Sequence, residues 1–373
     1  MVACLVALST VLPAGEAGAA VPAPVTIHAV DLHDGMVLKE GSTYYLYGTE
    51  YGCGFRWLDA QTPWCGFGVS TAPSLDGPWS PPRPLFPPDA TDPYSGLSWQ
   101  QECASAGCFN PRMVKRSGWG ADDGAWVLWF NSPSDYNRSL ANAYNVMGCN
   151  SPAGPCGPTA GPPYGSYRKP PLYNCYGNGD FGLAVDPASR SLVVVCTMPG
   201  STLSVEQIDR WGTTSARRGS AYLAGLDGVE GPGIWYEPAT ASWFGTYSDP
   251  YCGYCTGTAT GYMTAAGPFG PWSAPVSLAA GGPPERGRRD ISATSCGGQP
   301  RTVSVVDGQA WQGIDLWTGQ TNETKAGLHF EPLAHQPPQG TNGDGGLWHP
   351  PFADFHCAAQ GAAGVHGHRG AVR

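Results

Sequence analysis

Asp34-Gly35-Met36-Val37-Leu38-Lys39-Glu40-Gly41-Ser42-Thr43-Tyr44-Tyr45-Leu46-Tyr47 sets an acid ten residues ahead of a short aromatic strand, and the chain repeats this arrangement. Asp180 precedes Leu192-Val193-Val194-Val195, and Glu230 precedes Trp243-Phe244-Gly245-Thr246-Tyr247. Two further units carry an amide where the others carry an acid. Asn110 stands ahead of Trp126-Val127-Leu128-Trp129-Phe130, and Gln299 ahead of Ala310-Trp311-Gln312-Gly313-Ile314. A second motif recurs alongside, as Gly77-Pro78-Trp79-Ser80 and Gly270-Pro271-Trp272-Ser273, with a degenerate copy over Val146 to Pro158. The strand-like segments begin near residues 43, 125, 191, 242 and 309. Repeats of this length, built from short strands between turn residues, indicate an all-β chain folded as a five-bladed β-propeller. Solenoids have shorter and more uniform periods, and an immunoglobulin-like sandwich does not repeat five times in one domain. In a radial arrangement the first residues of all five units converge on one axial pocket. Helical periodicity is nearly absent, with Leu203 to Asp209 the one stretch that could form a turn or two.

Charged residues make up only 13% of the 373-residue chain and aromatics 11%, while Gly (53) and Pro (37) are abundant. That many aromatics argue for a loop-rich folded domain with a sizeable core rather than a disordered chain. The net charge of −9 comes without basic clusters, so neither nucleic acid nor an anionic membrane is an expected partner. A neutral polysaccharide or oligosaccharide is compatible with it, and a monomer is expected.

Met1 to Ala20 reads as a secretory signal peptide, with an apolar run from Val2 to Leu12 and small residues at Ala17-Gly18-Ala19-Ala20, although its start lacks Lys and Arg. Residues 21–357 form the propeller domain, and the low-complexity residues 358–373 read as a disordered tail. Removing Cys4 with the signal leaves an even number of cysteines, which supports export. Their spacing suggests the local pairs Cys53–Cys65, Cys103–Cys108, Cys149–Cys156 and Cys252–Cys255, and leaves Cys175–Cys196 and Cys296–Cys357 as guesses for the remainder, since sequence alone does not fix connectivity. Cys252-Gly-Tyr-Cys255 also has the spacing of half a zinc site, but no second pair or nearby His accompanies it. The sequons Asn137-Arg-Ser139 and Asn322-Glu-Thr324 would be glycosylated only in a eukaryotic secretory pathway.

Taken singly, Asp34 and Asp180 read as turn aspartates, since Asp beside Gly is ordinary turn chemistry. Glu230, in Val229-Glu230-Gly231-Pro232-Gly233, has no helix to cap and opens an apolar strand. Burial there would raise its pKa, as a general acid requires. The shared register of the three acids makes three unrelated turn residues the less economical account. Two or three carboxylates in one pocket are the minimum equipment for breaking a glycosidic bond.

These motifs, over roughly residues 27 to 335, resemble glycoside hydrolase family 43, a group of five-bladed propellers. The family opens with Asp some ten residues before Tyr-Tyr-Leu, as at Asp34 and Tyr44-Tyr45-Leu46. Its third blade opens with an Asp ahead of a hairpin, as at Asp180 before Val185-Asp186-Pro187. Its fourth opens with Glu-Gly-Pro before an aromatic strand ending in Ser, as at Glu230 and Tyr247-Ser248. The resemblance implies an inverting glycosidase in which Asp34 is the general base, Glu230 the general acid, and Asp180 tunes and orients the acid. Inversion places base and acid about 6.5–9.5 Å apart to admit a water. Some features are similar to the branch acting on β-1,3-galactan: His33-Asp34-Gly35, Asn110-Pro111-Arg112-Met113-Val114, Gln299-Pro-Arg-Thr302 and Ile314-Asp315-Leu316-Trp317. In that branch the first-blade Asp is missing and the fifth-blade Gln assists the water, whereas this chain has both Asp34 and Gln299 and replaces the second-blade Glu by Asn110. His33, Asn110 and Gln299 are the candidate substrate contacts. Asn110 and Gln299 could equally satisfy strand ends near the axis. Trp57, Tyr136 and Tyr251 are expected at the rim. Family members often hold calcium through a fifth-blade His; no His stands there, the nearest downstream being His329, so no cofactor or metal is expected. The competing functional readings are a catalytically inactive propeller that binds glycans and a structural cell-surface propeller.

Overall fold

The computed structural model describes residues 21–28, 30–116, 124–133, 143–157, 169–177, 179–274, 290–335 and 352–357. The expected signal peptide, the tail, Tyr136 and the Asn137 sequon lie outside these residues. Five four-stranded antiparallel sheets form the ring of a five-bladed propeller. Blade one comprises β2 (Val37–Glu40), β3 (Thr43–Thr49), β4 (Phe67–Ala72) and β5 (Arg83–Pro84). Blade two runs through β6 (Phe109–Lys115), β7 (Trp126–Asn131), β8 (Tyr144–Cys149) and β9 (Cys156–Gly157). Blade three comprises β10 (Phe181–Val185), β11 (Leu192–Met198), β12 (Thr202–Ile208) and β13 (Ser215–Ser220). Blade four follows with β14 (Glu230–Glu237), β15 (Ser242–Asp249), β16 (Ala259–Ala265) and β17 (Asp290–Ser292). Blade five takes β18 (Gln299–Val306), β19 (Gln309–Leu316) and β20 (Gly327–Pro332) from the end of the chain and β1 (Val25–Ile27) from its beginning. The β1–β20 pairing, Val25 opposite Phe330 through Ile27 opposite Leu328, closes the ring with backbone hydrogen bonds.

The aromatic runs that define the repeat are the second strands of their blades. They read as continuous apolar runs because each blade is covered on both faces. In β11, Val193 and Val195 enter the cluster shared with blade four, while Leu192, Val194 and Cys196 enter the one shared with blade two. Five such clusters fill the five gaps between neighbouring blades, so the apolar core is divided into wedges and the axis is left to polar groups. The Gly-Pro-Trp-Ser motifs turn the third strand into the fourth. Gly77–Pro78 and Gly270–Pro271 are both cis, and so is Gly154–Pro155 in the degenerate copy.

All six suggested cysteine pairs are bonded, including Cys252–Cys255, which excludes the half-zinc reading. The stretch Leu203 to Asp209 is not helical. It supplies most of β12, paired on one side with β11 and on the other with β13. Val205 and Ile208 are β-branched and fit a strand buried on both faces, which outweighs a weak helical pattern. Among the described residues the one α-helix, Trp99–Glu102, starts at a capping box in which Ser98 and Gln101 bond each other's backbone N–H. Among the described residues no helix is long and apolar enough to cross a membrane.

Candidate active site

The inner strands of blades two, four and five share a local device that aims their first residues at the axis. Each ladder slips out of register at its axial end, between Phe109 and Arg112, Glu230 and Gly233, and Pro300 and Val303. Pro111 and Pro232 sit within their irregularities, where no ladder N–H is needed, and Pro300, opposite Ile314, borders the third. Gly231 takes φ +60°, and a Cβ there would lie 2.6 Å from the Pro300 carbonyl, so Glu-Gly-Pro is a packing requirement of this corner. Asp34 (φ 53°) and Asn110 (φ 59°) hold left-handed backbone, which Asp and Asn tolerate better than most residues.

Asp34, Asn110, Asp180, Glu230 and Gln299, the first residues of the five units, all line one cavity of about 460 Å³. Trp57, Tyr251, Tyr254 and Trp317 add an aromatic wall. His33 does not reach the cavity. It is fully buried, with Nε2 3.3 Å from Asp31 and its ring against Tyr51 and Trp317. The Asn322 side-chain amide donates to the Tyr51 and Phe55 carbonyls, which occupies the nitrogen a glycan would need.

Asn110 and Gln299 spend their hydrogen bonds on the site itself. Asn110 Nδ2 donates to Asp180 Oδ1 (2.8 Å) and Asn131 Oδ1 (3.0 Å), and its backbone N–H donates to Asp34 Oδ1 (2.9 Å). Gln299 Nε2 donates to Glu230 Oε1 (2.7 Å), while Trp317 Nε1 donates to Gln299 Oε1 (2.8 Å). Each amide thus holds a carboxylate in place while itself lining the cavity. Asp34 Oδ1 also accepts from Thr49 Oγ1 (3.0 Å), and Oδ2 has no partner among the described residues.

Two buried arginines supply the countercharge. Arg112 donates to the Asp34 carbonyl (2.5 Å), the Phe181 carbonyl (3.1 Å) and Asn110 Oδ1 (2.9 Å), tying three blades together. Arg301 lies 3.2 Å from Asp315, whose other oxygen accepts the Asp34 backbone N–H (3.0 Å). Sequence reasoning did not single out Arg112, Arg301, Asp315 or Tyr254 as site residues. A signal was present, since Asn110-Pro111-Arg112 and Gln299-Pro300-Arg301 repeat one pattern of amide, proline and arginine at equivalent positions.

The carboxylates hold their protons more tightly than free ones do. Glu230 is pushed up to about 8, first by burial and then by the charge of Asp180; the bonds from Cys252 N–H and Gln299 offset part of the rise. Asp180 is raised by burial, against the pull of Asn110 and Arg112. Asp34 is raised well above the usual carboxylate range by burial and then by Asp315, with Arg112, the Asn110 N–H and Arg301 opposing. Three acids with raised pKa lining one cavity can serve proton transfer in both directions.

No protein-family model matches the sequence, and no curated protein sequence matches it. The fold, in contrast, matches solved structures. An exo-β-1,3-galactanase from Phanerochaete chrysosporium, solved with galactose, superposes with a TM-score of 0.58 at 17% identity over 83% of this chain. This chain spans 61% of that protein's length. A putative exo-β-1,3-galactanase from Bifidobacterium bifidum superposes with a TM-score of 0.58 at 15% identity, covering 83% of this chain and 94% of that one. A β-1,3-galactosidase of glycoside hydrolase family 43, solved with galactodeoxynojirimycin, gives 0.57 at 15% identity, covering 87% and 96%. At these identities the likeness shows a shared five-bladed propeller.

Proposed function

We propose that this chain is a secreted glycoside hydrolase that cleaves O-glycosidic bonds of galactan-, arabinan- or xylan-type polysaccharide with inversion. One observation carries the reading: Asp34, Asp180 and Glu230, at the axial ends of blades one, three and four, line a single cavity that also has an aromatic wall. Glu230, held protonated at neutral pH, is the general acid that gives its proton to the leaving oxygen. Asp34 is the base: the oxygen without a partner among the described residues takes a proton from the attacking water as it adds to the anomeric carbon. Asp180, whose charge raises the pKa of Glu230, keeps the acid loaded. The aromatic side chains offer faces for sugar rings. Six disulfides suit an oxidising compartment outside the cytosol. The propellers that share the fold include proteins named as β-1,3-galactanases, which makes galactan the first substrate to try.

The test is release of sugar from arylglycosides and from galactan, arabinan and xylan, with Glu230→Gln as control. Removal of a general acid is expected to cost about 10²–10⁴-fold in kcat. Hydrolysis untouched by Glu230→Gln would sink the assignment, and saccharide binding without any hydrolysis would return the chain to the inactive glycan-binding class.

A further inference from the structure

The loop from Pro250 to Thr258, between β15 and β16, contains the smallest of the six disulfide rings, Cys252-Gly253-Tyr254-Cys255. The fold does not need this cross-link. The two strands that flank it are already paired in unbroken register from Trp243 opposite Ala265 to Asp249 opposite Ala259. In the chain-entropy account a ring this short constrains the unfolded chain least. The loop does, however, reach the site at three points. Cys252 N–H donates to Glu230 Oε1 at 2.6 Å, and the Cys252 carbonyl accepts from Gln299 Nε2 at 3.2 Å. Tyr254 stands in the aromatic wall, 5.0 Å from Trp57 and 4.8 Å from Trp317 between ring centres, with its hydroxyl 2.7 Å from that of Tyr51. Gly253 lies flat against Trp57, where a Cβ would come within 2.6 Å of the indole. Both half-cystines are partly exposed, and Cys252 lines the cavity.

We propose that the Cys252–Cys255 ring is a positioning device for Glu230: closing it fixes the Cys252 N–H on the carboxylate and sets Tyr254 as the adjoining wall. The inference rests on the assignment of Glu230 as the acid. Among the described residues, the backbone bonds that tie this loop down lie outside Cys252–Cys255: Tyr251 N–H to the Gly228 carbonyl (2.9 Å), and Gly257 and Thr258 N–H to the Gly298 carbonyl (3.0 Å each), while Ser248 Oγ reaches the Pro250 carbonyl (3.3 Å). With the ring open, the Cys252 amide could therefore rotate away from Glu230. The groups that then face Glu230 are the Asp180 carboxylate from blade three and the Gln299 amide from blade five. Losing an N–H that favours the charged form, with Asp180 still opposite, moves the titration of Glu230 upward.

The experiment uses the full chain carrying Cys252→Ala and Cys255→Ala together, so that no free thiol remains. Three quantities are compared with the parent: the NMR titration of the Glu230 side-chain carboxyl, assigned by its absence in Glu230→Gln; the pH profile of kcat on an arylglycoside; and the thermal midpoint. The expected result is an upward move of the Glu230 titration, a matching move of the alkaline limb, kcat lower by about tenfold, and a midpoint within a few degrees of the parent. An unchanged or lowered Glu230 titration would overturn the proposal, and so would a collapse of the thermal midpoint, which would make the ring a structural staple. The carboxyl titration does not depend on turnover. A chain that hydrolyses nothing therefore refutes the glycosidase reading without deciding whether the ring positions Glu230.

Discussion

Glu230→Gln tests the electrostatics of the site through stability as well as activity. In the folded chain Glu230 keeps its proton to about pH 8, whereas an exposed glutamate gives it up near 4.5. The native state therefore holds a proton that the unfolded state has released throughout that window. Below the lower value both states are protonated and Glu230 contributes nothing to the pH dependence. As pH rises from 4.5 toward 8 the folded state loses ground, and above 8 the penalty is complete. At about 1.4 kcal/mol per pH unit, the ceiling of the penalty is about 5 kcal/mol. Water in the cavity screens part of it, so about 2–4 kcal/mol is expected. Glutamine is the neutral isostere: its Oε1 can accept from Cys252 N–H and Gln299 Nε2 as the glutamate oxygen does. The variant should match the parent at pH 4.5 and exceed it by about 2–4 kcal/mol at pH 9, measured from denaturant midpoints with the disulfides intact. A difference that is equal at both pH values, or a variant less stable at pH 9, would refute the claim that the native cavity holds a protonated Glu230.

Asp180→Asn keeps an acceptor for Asn110 but removes the charge that raises Glu230, so the alkaline limb of the kcat profile should move to lower pH; a limb that stays put would show Asp180 has no electrostatic hold on the acid. Arg112→Met leaves the Asp34 and Phe181 carbonyls and Asn110 Oδ1 without their donor and removes a buried countercharge, with an expected loss of about 3–5 kcal/mol. Thermal and denaturant midpoints close to the parent's would show that Arg112 is not needed to tie the blades together. Proton NMR of the first turnovers should show the sugar released with the anomeric configuration opposite to that of the substrate. Retention would make the partner of Glu230 a nucleophile instead of a base. The acidic limb of the kcat profile, governed by ionisation of Asp34, should lie above the usual carboxylate range; a limb in the ordinary range would mean that a different group activates the water.

The repeat, the blade count and the five axial positions were legible in the chain because they follow from local rules. A strand buried on both faces must read as an unbroken apolar run, as Leu192 to Val195 does, and five such runs at blade-length spacing leave few architectures open. The cysteine pairs were legible for a related reason, since most lie within one loop or one hairpin. What the sequence could not carry is which side chains meet across blades. Arg112 and Arg301 are isolated basic residues until the ring closes and sets them among Asp34, Asp180 and Asp315. His33 looks like a neighbour of the site until the fold buries it against Asp31, Tyr51 and Trp317. Asn110 and Gln299 read as substrate contacts or strand caps, and only the closed ring shows each of them holding an acid from a neighbouring blade. The helix cap at Ser98 and Gln101 was written locally and overlooked, while the strand over Leu203 to Ile208 was decided by its neighbours. By itself, then, the sequence determined the period, the strands and the register of the acids, because these depend on covalent spacing and on burial of short segments. Tertiary structure alone decided the proton affinities and the hydrogen-bond partners of those acids, because both depend on desolvation and on charges brought together from blades far apart in the chain.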